Sequence, residues 1–542
     1  MSDAPTGRET DEIIRRARAQ GHLDPPPDTT DNGHAGEESP QPPPKRGGRS
    51  RGKKPAGFKD ADDRFTDARM AETVAADILI DRYMWVSGLG WLRWDQTRWV
   101  ECTDVTVAEA LRSYTLERFG KAVADLQNGS SDTDALDGWR QLLNAGRERA
   151  VLGLARGLVE HRAAELDADP DLLNTPAGVV DLRSLEVFPH SPDFLMTKIT
   201  SGRYQPGATH SDWTAALEAL DPPERAWLQI RIGQAMTGHP TPDGILLVLQ
   251  GSGENGKSAL TTDGAVRALG DYASMASAKL LQSSRGTEHS EEQATLRGKR
   301  FLVAEELTEA RALDVTSLKR IQDVGVITAR HVHQRNMTFK ASHSLFTTTN
   351  YIPVVNEVDH GTWRRLALLR FPYTFRKAGE ELEAPCDRRA DERLKGRIKA
   401  NQDGQHDAIV TWAIEGAHRW YQKGPEILAP TARVKDDTFE WRKEADRILG
   451  YWTEWLIPDP DACIAGVEMH ADFNHWLNVN GHQPWPKELF GPRFIQHAET
   501  VRNRVDQVRT AAPTGLSRSP NVQIELPSRP FVYRGVRIQD PP

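Results

Sequence analysis

Apolar positions recur along this chain in two rhythms, and the places where one gives way to the other divide it. From Phe65 onward "TVAADILIDRYMWV" and "VTVAEALRSYTLERF" carry apolar residues at helical spacing. Between them "GWLRWDQTRWVEC" alternates as two strands about a turn. Helical spacing returns through "ERAVLGLARGLVEHRAAEL", and "LLNTPAGVVDLRSLEVFPH" predicts two short strands joined by turns. Helices are expected again in "WTAALEALDPPERAWLQIRIGQAMTG". The rhythm then becomes strand, glycine loop, helix and strand, with apolar runs at "ILLVLQ", "RFLVAEE" and "SLFTTTN". Strands alternating with helices predict a parallel α/β sheet. After "RRLALLRFPYTF" the clearest amphipathic helix is "HDAIVTWAIEGAHRWYQKG". The last hundred residues read as short helices ("ILGYWTEWL", "DFNHWLNVNG", "GPRFIQHAETV") and a two-stranded end, "VQIELPSRPFVYRGVRI", in the manner of a winged helix.

This pattern predicts a multidomain α/β protein. A tail over 1–60, rich in Pro, Gly, Asp and Arg, has no periodic apolar positions to offset the entropy of ordering and is expected to be disordered. A mostly helical domain over 61–205 follows, then an α/β domain over 206–385, a helical connector over 386–445 and a winged-helix-like domain over 446–542. The four tryptophans Trp452, Trp455, Trp476 and Trp485 recur at helical spacing with Leu and Phe, which favours core packing over base stacking.

Composition narrows the function classes. The 542 residues are 38% hydrophobic and 27% charged, near the values of soluble globular proteins, and no run of about 18 apolar residues suits a bilayer span. The N-terminus lacks the apolar core of a secretory signal, so a cytoplasmic location and no membrane partner are expected. Cys102, Cys386 and Cys463 are far apart, which argues against a disulfide framework and a CxxC zinc ribbon. A net charge of −8 speaks against nucleic-acid binding only on average. "KRGGRSRGKKPAGFK" at 45–59 holds seven cations and no acid, a composition that suits phosphate affinity or plain solvation equally.

The candidate chemistry begins at "GSGENGKS", which fits GxxxxGK(S/T) behind an apolar strand and ahead of a helix. Gly251, Gly253 and Gly256, with Ser252, Glu254 and Asn255 between them, would let backbone N–H groups turn around a β-phosphate. Lys257 would reach the β- and γ-phosphates of ATP, and Ser258 would hold Mg²⁺. About fifty residues on, "KRFLVAEE" ends in Glu305, assigned to Mg²⁺ through water, and Glu306, assigned to polarising the attacking water; the two roles are interchangeable on sequence grounds. "FTTTN" places Asn350 where it could bond the γ-phosphate or that water. "GTWRRLALLRF" offers Arg364 and Arg365 as arginines inserted from a neighbouring subunit. Between Glu306 and Asn350, "ITARHVH" and "MTFKASH" read as a hairpin carrying Arg330, His331, His333, Arg335 and Lys340, with Lys319 and Arg320 upstream: a phosphate track for DNA.

In this order, "GSGENGKS", "LRGKRFLVAEE", "LKRIQDVGVITAR", "LFTTTN" and "GTWRRLALLRFPYTF" resemble the superfamily 3 helicases, specifically the phage and plasmid primase-helicase group with its poxvirus relatives. "WLRWDQTRW" and "LLNTPAGVVDLRSLEVFPH" resemble the helical domain that precedes the motor there. The resemblance implies a P-loop, AAA+-like ATPase core in a hexameric ring. ATP and Mg²⁺ would sit at subunit interfaces, with Lys257, Ser258, Glu305, Glu306 and Asn350 in cis, Arg364 or Arg365 in trans, and the Arg330–Lys340 hairpin gripping single-stranded or forked DNA. Most such rings move 3′ to 5′. Many relatives also carry a primase-polymerase domain with paired acids. Here the nearest acidic cluster, "DADPD" at 167–171, reads as a helix end and loop, so helicase activity without primer synthesis is expected, with a separate primase or polymerase as a possible partner. The setting implied is phage or plasmid replication in a bacterial cytoplasm. The alternative is an ATP-assembled, origin-binding initiator with little unwinding. A small-molecule P-loop kinase is disfavoured, because no acceptor pocket or lid is recognisable between the loop and Asn350.

Overall fold

The computed structural model describes residues 63–277, 281, 293–305, 312–314, 318, 325–329, 337–355 and 360–539. The 1–60 tail, Glu306, Lys319, Arg320, Arg330, His331, His333 and Arg335 lie outside the described residues. Those described divide into two compact units: one runs to Thr200 and adds the stretches 287–298 and 325–342, and the other holds the rest. No helix among the described residues is long and apolar enough to cross a membrane.

In the first unit, helices Asp67–Val74, Asp104–Gln127, Thr133–Leu142 and Ala145–Ala155 each start at a side chain that accepts a backbone N–H: Thr66, Thr103, Asp132 and Asn144. Their apolar faces meet in a core that includes Met70, Val74, Leu111 and Val151. "GWLRWDQTRWVEC" is the expected hairpin, with Trp94 opposite Trp99. "YMWV", expected to continue a helix, is instead the strand Tyr83–Val86. It pairs antiparallel with Gly90–Trp94 and parallel with Glu160–His161, partners that local spacing does not reveal. The helix expected through "ERAVLGLARGLVEHRAAEL" ends at Ala155, and the chain turns to supply that second partner strand. The segment 172–190 holds three strands rather than two: Leu172–Thr175, Gly178–Asp181 and Val187–Phe188, in sequential antiparallel order. The basic hairpin pairs Val326–Ala329 with Met337–Lys340. Ile327, Ala329 and Phe339 are buried, while Thr328 and Lys340 are exposed.

The second unit is built on five parallel strands: β1 Leu246–Gln250, β2 Ala273–Ala276, β3 Phe301–Glu305, β4 Ser344–Thr349 and β5 Leu366–Arg370. Their spatial order is β5-β1-β4-β3-β2. β4 is buried along its whole length, and β1, β3 and β5 at all but their last residue. This explains why they read as apolar runs without alternation. Because all five run the same way, the loops after β1, β3 and β4 emerge at one edge. The predicted amphipathic helix is Gln405–Lys423, and it packs on Pro222–Met236.

Beyond it, helices Arg447–Trp455, Gly466–Val479, Lys487–Gln496 and Ala498–Arg502 surround an aromatic core. Trp452 and Trp476 are buried in it, and Trp455 and Trp485 pack against it. "VQIEL" is not a strand. The last strand, Phe531–Ile538, lies between Asp506–Arg509 and Leu456–Ala465 in a four-stranded sheet.

Candidate nucleotide site

The loop after β1 takes its shape from its glycines. Gly253, Glu254 and Gly256 all have positive φ (102°, 48° and 85°). A Cβ on Gly251 would fall 1.8 Å from the Asn255 amide nitrogen, and one on Gly256 would fall 2.7 Å from Ala219 Cβ. Both positions therefore exclude larger side chains. Gly256 also starts the helix Lys257–Leu260.

Lys257 is buried, and its ammonium donates to Gly251 O (2.5 Å), Asn255 Oδ1 (3.1 Å) and Asn350 Oδ1 (3.2 Å). All three acceptors are neutral. Burial pushes the Lys257 pKa down from 10.5 to about 8. Asn255 is also buried, and its Nδ2 has no hydrogen-bond partner among the described residues. A buried donor left over beside a buried cation fits an anionic, acceptor-rich ligand.

Two cavities meet at this lysine. One, of about 1320 Å³, is lined by Lys257, Ser258, Glu305, Thr349 and Asn350. The other, of about 540 Å³, is lined by the loop residues Gly253 to Ser258 with Asn350, Phe375 and Lys377. Glu305 reaches the first cavity because β3 ends there, and Asn350 because β4, next to β1, ends one residue earlier. The Gln250 amide ties the two loops by donating to Asn350 O (3.2 Å).

Sequence motifs did not point to the other charged groups around these cavities. Lys395 lines both and pairs with Asp263 (3.1 Å). Lys377 pairs with Glu254 (2.9 Å). The helix Leu394–Ala400 that carries Lys395 is held by Arg397, whose guanidinium grips Asp212 (2.7 Å) and Asp391 (2.6 Å) and keeps both carboxyls below their ordinary pKa. These groups come together only through tertiary packing and have no motif of their own. The basic run "LKGRIK" is the one local hint.

Arg364 and Arg365 lie elsewhere. They precede β5, where Arg365 O accepts from Leu246 N (2.7 Å) at the start of β1. Five residues at about 3.3 Å each separate that point from Gly251, roughly 16 Å along the strand. Arg364 is exposed, and Arg365 donates to Gly361 O (3.0 Å). Lys340 belongs to the hairpin of the first unit.

With this geometry in view, the likenesses to known proteins become informative. Residues 76–221 match the family model described as D5 N terminal like. The chain is 25% identical over 358 residues to the protein named Putative primase C962R of African swine fever virus (strain Badajoz 1971 Vero-adapted), covering 63% of this chain and 37% of that protein. It is 25% identical over 245 residues to Putative helicase 022R of Frog virus 3, covering 44% and 25%, and 24% identical over 363 residues to Putative helicase L207/L206 of Acanthamoeba polyphaga mimivirus, covering 62% and 36%. The matched stretch thus spans about a third of the curated relatives or less. A solved apo structure of the NrS-1 C terminal region aligns over 86% of this chain and 99% of its own at 10% identity, with a TM-score of 0.42. The domain match and the named viral proteins therefore show likeness to proteins called putative primase and putative helicase. None of these three relatives comes from a phage or a plasmid.

Proposed function

We propose that this chain is the ATP-hydrolysing motor of a DNA helicase of superfamily 3 type, acting in DNA replication. The observation that carries the proposal is the Lys257 ammonium. It is buried among neutral oxygens at the meeting point of two cavities, beside the Asn255 Nδ2 that has no hydrogen-bond partner among the described residues, and it donates to Asn350. The names of the viral relatives point the same way.

In this reading the 251–258 loop is a P-loop that turns its backbone N–H groups toward the β-phosphate of ATP, and Lys257 exchanges its neutral acceptors for phosphate oxygens. Ser258 and Glu305, which line one cavity, suit an oxygen-liganded Mg²⁺, and Glu305 makes no ion pair among the described residues. When bound, that ion neutralises charge developing on the transferring phosphoryl group. Glu306 polarises the attacking water, and Asn350 orients it or the γ-phosphate. The position of Arg364 and Arg365 at the far end of β1 from the loop supports their action on a neighbouring subunit's ATP, and hence a ring, which we take to be a hexamer. The hairpin from Arg330 to Lys340 holds single-stranded DNA by its phosphates. Residues 446–542, helices packed with a four-stranded sheet whose strand Leu456–Ala465 lies between two of them, act as a winged-helix-like DNA-binding region.

The test is ATP hydrolysis and forked-duplex unwinding by the wild type and Lys257→Ala. Hydrolysis stimulated by single-stranded DNA, with unwinding, both abolished in the variant, is expected. ATP-dependent assembly on DNA without strand separation would instead identify an initiator.

A further inference from the structure

Away from the 251–258 loop, a cavity of about 980 Å³ is lined by the segments 352–355, 441–448 and 482–498. That volume is at the upper end of small-molecule sites, which run from about 300 to 1,000 Å³. Its walls are firmly held. Trp441 Nε1 donates to Pro353 O (2.8 Å), Leu313 N donates to Val354 O (2.9 Å), and His497 pairs with the buried Asp446 at 2.9 Å.

The lining is chemically one-sided. Arg447 and Arg493 both face the cavity, and no carboxylate of the described residues lies within ion-pair distance of either. The acids that share the wall are Glu444, which is exposed and whose backbone carbonyl accepts from Arg447, and Asp446, already engaged by His497. Arg447 is half-buried, and a part-desolvated guanidinium with no acid of the described residues in ion-pair reach favours an anion. Arg493 is exposed, and its guanidinium carbon lies 5.3 Å from the centroid of the Trp485 ring. Burial, and then the Arg447 charge, holds His482 below its ordinary pKa, leaving a neutral imidazole with one donor and one acceptor. An aromatic plane with a stacked guanidinium, a second guanidinium that bonds only the Glu444 carbonyl among the described residues and a neutral imidazole form a set that an acidic peptide would use only in part. A base joined to a phosphate uses all of it.

We propose that this cavity binds a nucleotide unit, with the base against Trp485 and Arg493 and the phosphate on Arg447. The source is either a free nucleotide or one residue of a single strand. The proposal does not depend on Lys257 chemistry, so the test uses the full chain carrying Lys257→Ala with Arg330→Ala and Arg335→Ala, in which the loop site and the hairpin proposed to hold single strands are silenced. Binding of a fluorescein-labelled oligothymidylate and of free thymidine monophosphate is measured with and without Arg493→Ala and, separately, Arg447→Ala. A loss of about tenfold or more in oligothymidylate affinity in both variants, with the monophosphate bound weakly throughout, assigns the site to a strand. The same loss for the monophosphate assigns it to a free nucleotide. Arg493 is exposed and Arg493→Ala is expected to fold, so that variant alone decides the matter if Arg447→Ala does not fold. Unchanged affinity for both ligands in folded Arg493→Ala overturns the proposal.

Discussion

Replacing Lys257 with methionine keeps the length of the side chain and removes a buried ammonium, so the change isolates what that charge costs the empty protein. The gap between the ordinary lysine pKa of 10.5 and about 8 in the folded state corresponds to about 3 kcal/mol. The sign follows from proton counting. Below about pH 8 the lysine is protonated both folded and unfolded, and the full cost is present. Between about 8 and 10.5 the unfolded chain holds more protons, so wild-type stability rises with pH. Over the interval from about pH 7 to 9.5 the rise is about 2 kcal/mol, and Lys257→Met should not show it. Urea unfolding of both proteins without nucleotide, at the two pH values, measures the difference. The methionine variant should be the more stable near pH 7, with the gap narrowing toward 9.5. A phosphate on the ammonium would raise its pKa again, so ATP binding should take up protons above about pH 8 and weaken as pH rises. Parallel stability curves for the two proteins would refute the claim that Lys257 sits desolvated and waiting for an anion.

Other consequences follow from single contacts. Gly256→Ala must hold φ near 85° and fit a Cβ 2.7 Å from that of Ala219. A loss of about 1–2 kcal/mol in unfolding free energy and weaker ATP binding are expected, and an unchanged unfolding midpoint would count against the loop geometry. Asp472 is buried and accepts from Tyr451 OH (2.7 Å), Ser519 Oγ (2.5 Å) and Asn521 Nδ2 (3.1 Å). Asp472→Ala leaves three donors behind and should cost about 3 kcal/mol, read as a lowered melting temperature, whereas a shift under a degree would show the network to be dispensable. Arg365→Ala should leave ATP affinity nearly intact while slowing hydrolysis by about 10³-fold. Mixing it with Lys257→Ala subunits should restore part of the rate, and a normal rate in Arg365→Ala alone would remove it from catalysis.

How much of this was legible in sequence depended on whether the deciding contacts were local. The strand "ILLVLQ" and its glycine loop were readable because a fully buried parallel strand is a bare apolar run and the loop's geometry demands glycine at fixed places. The hairpin at 90–102 was readable from its alternation. "YMWV" was not, because its neighbours are Gly90–Trp94 and the distant Glu160–His161, and the helical rhythm before it runs on without a break. "VQIEL" failed in the opposite sense. It alternates like a strand, but the edges of Phe531–Ile538 are taken by segments from 456 and 506 onward. Lys257, Ser258, Glu305 and Asn350, expected from sequence to act together, line one cavity because each ends or follows a strand of the same sheet. Lys395, Lys377 and Asp263 have no such local signal, because only packing of the 394–400 helix and the 374–377 segment brings them to the cavities.

The central claim is that Lys257, Ser258, Glu305 and Asn350 serve one triphosphate. Its most direct test separates binding from hydrolysis, by measuring ATP affinity and DNA-stimulated turnover in parallel for the wild type, Lys257→Ala and Glu305→Gln. The account predicts that Lys257→Ala loses both, while Glu305→Gln still binds ATP and turns it over at least about a hundredfold more slowly. Wild-type turnover in Lys257→Ala, or in Glu305→Gln, would contradict it.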